Sequence, residues 1–144
     1  MREIRNAARV KFCAISENEA FARVVTAGFL MKMNVTAEEL ADLKTMVSEA
    51  VTNAIVHGYR GRDGAKCIVT LELKYYSDGL LQVTVADRGC GIPDVEAAMT
   101  PFFTTDKEGE RSGMGLPIMQ AFSDSLRIAT SPRGTRVVMK KKLS

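Results

Sequence analysis

The chain has 144 residues, the length of one ordinary domain, and leaves no room for separate catalytic and regulatory halves. A hydrophobic fraction of 46% with 26% charged residues excludes a disordered chain and fits a soluble globular one. The net charge of +3 is small and scattered along the sequence, so it gives no reason to expect nucleic acid as a partner.

Three cysteines, Cys13, Cys67 and Cys90, form an odd set with no CxxC pair. They read as reduced, buried or semi-buried thiols of a cytoplasmic protein, not as a disulfide frame or zinc site. The start, Met1 to Arg5, lacks the apolar core of a signal peptide, and the longest apolar stretch, Val24 to Met31, is far below the ~20 residues that span a bilayer. Neither secretion nor membrane insertion is expected.

In chain order, residues 9–15 are rich in β-branched and aromatic residues and predict a strand. Ser16 and Glu19 then have the spacing of a capping box, opening a helix to about Met33 that carries Phe21, Val24, Val25, Phe29 and Leu30. Thr36 and Glu39 form a second box, before a helix whose stripe is Leu40, Leu43, Val47, Ala50 and Ala54 and which stops near Gly58. A charged, glycine-containing loop follows. Residues 67–76 and 80–87 predict a hairpin turning at Ser77-Asp78-Gly79. From Arg88 to Gly115 the pattern dissolves, apart from a short helix near 94–99; a helix over about 116–122 and strands at 125–131 and 135–141 complete the chain. Helices gathered beside a mixed, mostly antiparallel sheet predict an α+β two-layer sandwich, with the helices on one face. The long irregular stretch is of the kind used for active-site lids.

Three clusters carry candidate chemistry. Glu49, Asn53 and His57 stand at i, i+4 and i+8, so a continuous α-helix puts them on one face. There the Asn53 oxygen suits a hard cation, and Glu49 suits orientation or deprotonation of a hydroxyl. Taken alone, the pair is equally what a solvated helix face looks like. Asp87 ends an apolar strand and is followed by Gly89 and Gly91, where a carboxylate can accept from an exocyclic amine and glycine lets backbone approach a flat ligand; an Asx-capped turn has the same residues. Gly113 and Gly115 run straight into a helix, a junction whose free N–H groups suit phosphates, although a plain glycine hinge reads identically. No GxxxxGK[ST] sequence occurs, which excludes a P-loop enzyme. Arg111 and the pair Gly134-Thr135 complete the series.

Read in order, Glu49-xxx-Asn53, Asp87-x-Gly89-x-Gly91, the long loop, Gly113-x-Gly115 and Gly134-Thr135 resemble the nucleotide boxes of the GHKL (Bergerat) superfamily of ATP-binding domains. The wording from Val47 to Tyr59, Phe102 to Asp106, Arg111 to Gly115 and Ser16 to Val24 is most similar to the small anti-sigma-factor serine/threonine kinases, in particular the anti-sigma F factors of endospore-forming bacteria (stage II sporulation protein AB). The resemblance implies an ATP-dependent protein serine kinase with Mg²⁺. Asn53 would be the Mg²⁺ ligand and Glu49 the base; Asp87 would read the adenine amine, with Gly91 making room for the ring. Arg111, Gly113 and Gly115 would attend the phosphates, and Thr135 the adenine end.

It further implies a cytoplasmic homodimer joined through the first strand and first helix. Such a dimer would hold sigma factor F away from RNA polymerase and phosphorylate a serine of an anti-anti-sigma factor. Arg23 matches the partner-binding arginine, and direct contact with nucleic acid or membrane is not expected. A general-stress anti-sigma kinase and a nucleotide-gated binder without phosphotransfer are the alternatives; the intact Glu49 argues against the latter. Cys90, in a variable place between Asp87 and Gly91, would lie near bound nucleotide.

Overall fold

The computed structural model describes residues 2–100 and 115–144. In chain order it contains strand β1 (Ile4–Cys13), helices α1 (Glu17–Leu30) and α2 (Ala37–Thr52), and a π-helical turn (Asn53–Gly58). A 3-10 turn (Gly64–Lys66), strands β2 (Ile68–Tyr76) and β3 (Leu80–Asp87), and the one-turn helix α3 (Val95–Ala98) follow. Helix α4 (Gly115–Phe122) and strands β4 (Ser125–Ser131) and β5 (Gly134–Lys142) complete the described chain.

The five strands lie in the order β1-β2-β3-β5-β4, and among the described residues every pairing is antiparallel, where a mixed sheet was expected. The sheet arises from alternation. In β2, Val69, Leu71 and Leu73 are buried toward the helices, while Ile68, Thr70 and Lys74 point the other way. The same parity in β3 and β5 buries Leu81, Val83, Val85, Val137 and Met139. Against these lie Leu43, Met46, Val47, Ala50 and Val51 of α2 and Leu116 and Met119 of α4. Removing this apolar area from water is the main stabilising term of the fold.

Several expectations shift. β1 begins at Ile4, well before residue 9, because its backbone pairs with β2 along the whole run from Ile4 to Cys13 despite its polar side chains. The Thr36 box forms as expected, with the Glu39 N–H donating to Thr36 Oγ1 (3.0 Å) and the Thr36 N–H to Glu39 Oε1 (2.9 Å). The Ser16 box does not form. Ser16 is itself helical (φ −59°, ψ −32°) and its hydroxyl donates to Glu17. Glu19 instead accepts from Ser48 Oγ (2.7 Å) and from Arg23 Nε (2.8 Å), tying α1 to α2. On α1 the fully buried residues are Ala22, Thr26 and Leu30, whereas Phe21 and Val24 are exposed. Among the described residues, no helix is long and apolar enough to cross a membrane.

Candidate nucleotide site

The expected face of α2 is broken where it matters. The helix widens at Asn53, and the Tyr59 N–H donates to the Ala54 carbonyl, a five-residue step (3.1 Å). Such π turns recur at functional sites. Glu49 and Asn53 keep their i, i+4 relation, whereas the continuous α-helix expected through His57 gives way to the π turn. His57 pairs instead with Arg60, at 3.2 Å between Nδ1 and Nη2.

Gly115, at the start of α4, closes on that pair. A Cβ at Gly115 would lie 3.0 Å from Asn53 Oδ1 and 3.3 Å from Glu49 Oε2. A carboxylate, a carboxamide and the first turn of a helix, whose leading N–H groups have no partners within the helix, therefore meet at one point. Any side chain at 115 would fill this place. The donor set fits Mg²⁺, which commonly takes one or two protein oxygens and completes its shell with substrate phosphates and water. Among the described residues no group of three or more His, Cys, Asp or Glu is arranged for a metal.

The second cluster forms where the π turn meets the end of β3. Gly58 packs on Asp87, so that an added Cβ would stand 2.9 Å from Asp87 Oδ2. The Gly58 carbonyl accepts from the Cys90 N–H (2.7 Å), and a Cβ on Gly89 would collide with the Gly58 backbone. Asp87 Oδ1 accepts from the Gly89 N–H (2.8 Å), and the Thr135 N–H also bonds to its carboxyl group. Burial raises the Asp87 pKa above its ordinary value, while those two N–H groups and the nearby Arg62 pull it down less strongly. A half-buried carboxylate with lone pairs left over is suited to accept an amine hydrogen bond.

Thr135 is buried beside it, its hydroxyl 2.8 Å from that of Thr130, which in turn accepts from the Ile92 N–H (2.8 Å). Gly91 has φ +82°, and its missing Cβ would strike the Ser131 carbonyl. The close approach that requires glycine at 91 is therefore to the end of β4, not to an open space beside Asp87. Cys90 is exposed rather than semi-buried, with Sγ 3.4 Å from the His57 carbonyl oxygen. Cys13 and Cys67 are partly buried.

Arg23 sits apart from both clusters. It faces a shallow hollow between α1 and α2, lined also by Ala20, Val24, Ala27 and Lys44, and is held by Glu19. Arg111 and Gly113 lie outside the described residues.

Tyr59 is a residue the sequence reading passes over. Its buried side chain donates from the hydroxyl to the Ile68 carbonyl (2.5 Å) and accepts from the Arg88 N–H (2.7 Å), pinning the peptide that follows Asp87. Arg62 lies over its ring at 5.8 Å and donates to the Arg88 carbonyl (3.1 Å). The signal was a tyrosine directly after the glycine that ends the helix, which looks like ordinary core.

Comparison with known proteins identifies the family and the fold. The family model of the histidine kinase-like ATPase domain matches residues 14–141. The anti-sigma F factor of Bacillus licheniformis is 46% identical over 144 residues, covering 98% of this chain and 95% of that protein. The anti-sigma F factor of Bacillus subtilis (strain 168) is 44% identical over 142 residues, again covering 98% and 95%. Among solved structures, the RsbU and RsbW domains of Rv1364c from Mycobacterium tuberculosis superpose with a TM-score of 0.69 at 20% identity, covering 96% of this chain and 32% of that one. The catalytic domain of the histidine kinase ThkA superposes at 0.55 and 20% identity, covering 94% and 96%. These two likenesses concern the fold. The chain belongs to the histidine kinase-like ATPase domain family and, within it, to the family of the anti-sigma F factors.

Proposed function

We propose that the chain is an anti-sigma factor for sigma factor F and a protein serine kinase that transfers the γ-phosphate of Mg·ATP to an anti-anti-sigma factor. The observation that carries the kinase reading is the meeting of Glu49, Asn53 and Gly115 at the first turn of α4. Asn53 Oδ1 would hold Mg²⁺, which when bound offsets phosphate charge, and the N–H groups at the start of α4 would face the phosphates. Asp87 would accept from the adenine amine, with Thr135 supporting its carboxyl group.

In the transfer, the serine oxygen forms a bond to the γ-phosphorus and the bond from that phosphorus to the bridging oxygen breaks, releasing ADP. Glu49 takes the serine proton. Glu49 also orients the serine hydroxyl, and the remainder of the catalysis is positioning and charge neutralisation beside a loose transition state.

Partner contacts are assigned to Arg23 beside its hollow. A homodimer through β1 and α1 is supported by exposed apolar side chains. Of the five large hydrophobics exposed among the described residues, Ile4 lies on β1, Phe21 and Val24 on α1, and Met31 directly after it. Regulation of transcription during sporulation, in the cytoplasm, is part of this reading, and the relatives' name, anti-sigma F factor, supports its sigma-binding part.

Incubation with labelled Mg·ATP and the anti-anti-sigma protein of the same organism tests it. Stoichiometric label on one serine is expected, falling by about a thousandfold in rate with Glu49→Gln while ATP affinity stays within about twofold. Absence of label with tight ATP binding would reject the kinase reading. Equal loss of transfer and binding in the variant would make Glu49 a structural residue.

A further inference from the structure

The face of the sheet turned away from the helices carries a strongly one-sided charge. The strand registers place Arg9, Glu72 and Arg127 in one cross-sheet row, Lys11 and Arg136 in the next, and Lys74 and Lys140 in the row on the other side. Six cations on four strands thus accompany one carboxylate. That carboxylate is already engaged, 2.6 Å from Arg9 Nη2 and 3.5 Å from Lys74 Nζ. Lys11, Arg127, Arg136 and Lys140 have no ion-pair partner among the described residues. The helical layer has the opposite balance, since α1 and α2 together hold six carboxylates against Arg23 and Lys44. The net charge of +3 conceals this separation.

We propose that the open sheet face is a docking surface for an acidic segment of a partner protein, an interaction that goes beyond the nucleotide chemistry proposed above. The charge is complementary to clustered carboxylates, and unpaired arginine and lysine side chains on a flat surface steer and hold such a segment. Nucleic acid fits less well. None of the three rows contains an aromatic residue on which a base could stack, and the flat face projects no helix or ribbon into a groove. A second copy fits less well again. Two such faces repel each other, and a sheet face set on a helical layer is a head-to-tail contact that does not close.

The test uses the full chain with a fluorescein-labelled glutamate-rich peptide and a single-stranded oligonucleotide of equal formal charge, followed by anisotropy at low and physiological salt. The peptide is expected to bind, and to weaken as salt screens the contact. Arg127→Glu with Arg136→Glu should reduce its affinity by about tenfold or more, and the milder Arg127→Gln with Arg136→Gln by less in the same direction. Lys32→Glu with Lys66→Glu, on exposed positions elsewhere, makes the same change in net charge and should leave affinity within about twofold. Circular dichroism checks that each variant folds. The proposal is overturned by absence of peptide binding, by equal loss in both glutamate variants, or by tighter binding to the oligonucleotide. Self-association abolished by Arg127→Glu and Arg136→Glu would likewise overturn it, assigning the face to a second copy.

Discussion

Asp87 is held from several sides: Gly58 against its carboxylate, the Gly89 and Thr135 N–H groups on it, and Tyr59 fixing the next peptide. Because burial raises its pKa, the folded protein holds the Asp87 proton more tightly than the unfolded chain does. The contribution of this group to stability is therefore greatest at low pH and declines as pH rises through the raised value. Nucleotide binding has the opposite sense, since the ionised group accepts from an amine more strongly than the protonated one does. ATP affinity should fall on acidification at a pH above the ordinary aspartate range, and calorimetric titrations across pH should show that step vanish in Asp87→Asn. Tyr59→Phe leaves the Arg88 N–H and the Ile68 carbonyl without their partner. It should lower stability by about 1–3 kcal/mol in urea unfolding, and weaken ATP binding through the displaced Asp87. Asp87 and Asn53 stood out in the sequence only as members of an ordered series of boxes, since alone each also fits a turn or a solvated helix face. Tyr59 did not, because its task depends on an Arg88 backbone that only the fold brings near.

Among the elements, the two capping boxes show what spacing can and cannot tell. Both sequences have the same pattern, but only Thr36 adopts the extended backbone of an N-cap (φ −75°, ψ 160°). At the start of α1, Glu19 finds a better partner in Ser48 of α2, a contact that no local rule contains. Thr36→Ala should cost about 1 kcal/mol in a denaturant titration, whereas Ser16→Ala should be nearly silent. The hydrogen bonds to Glu39 from Thr36 and Ser144 hold its pKa below the ordinary value. Its support of the fold is therefore full above the ordinary glutamate range and is lost as pH falls through the lowered value. Strands β2 to β5 and both hairpins followed from alternation and turn residues, whereas the polar start of β1 did not. The π turn left no mark in the hydrophobic pattern, because Ala54 is buried just as a continuous α-helix would bury it.

Across the whole molecule, the two candidate surfaces are segregated by layer. The candidate nucleotide site joins α2, the π turn, the start of α4 and the end of β3, while the opposite face of the sheet is a cationic plane. Sequence order was enough to list the boxes, but the pairing of β3 with β5, distant in the chain, is what sets Thr135 beside Asp87. The separation of charge by layer could not be read before the strand registers were known. Asn53 and Gly115 are proposed to mark a Mg·ATP site. This is tested most directly by calorimetry of ATP binding to the full chain, with and without Mg²⁺, in the natural sequence and in Asn53→Ala. ATP binding should require Mg²⁺ and weaken by about a hundredfold or more in Asn53→Ala, with the variant still folded. Mg²⁺-independent binding, or undiminished affinity in Asn53→Ala, would contradict it.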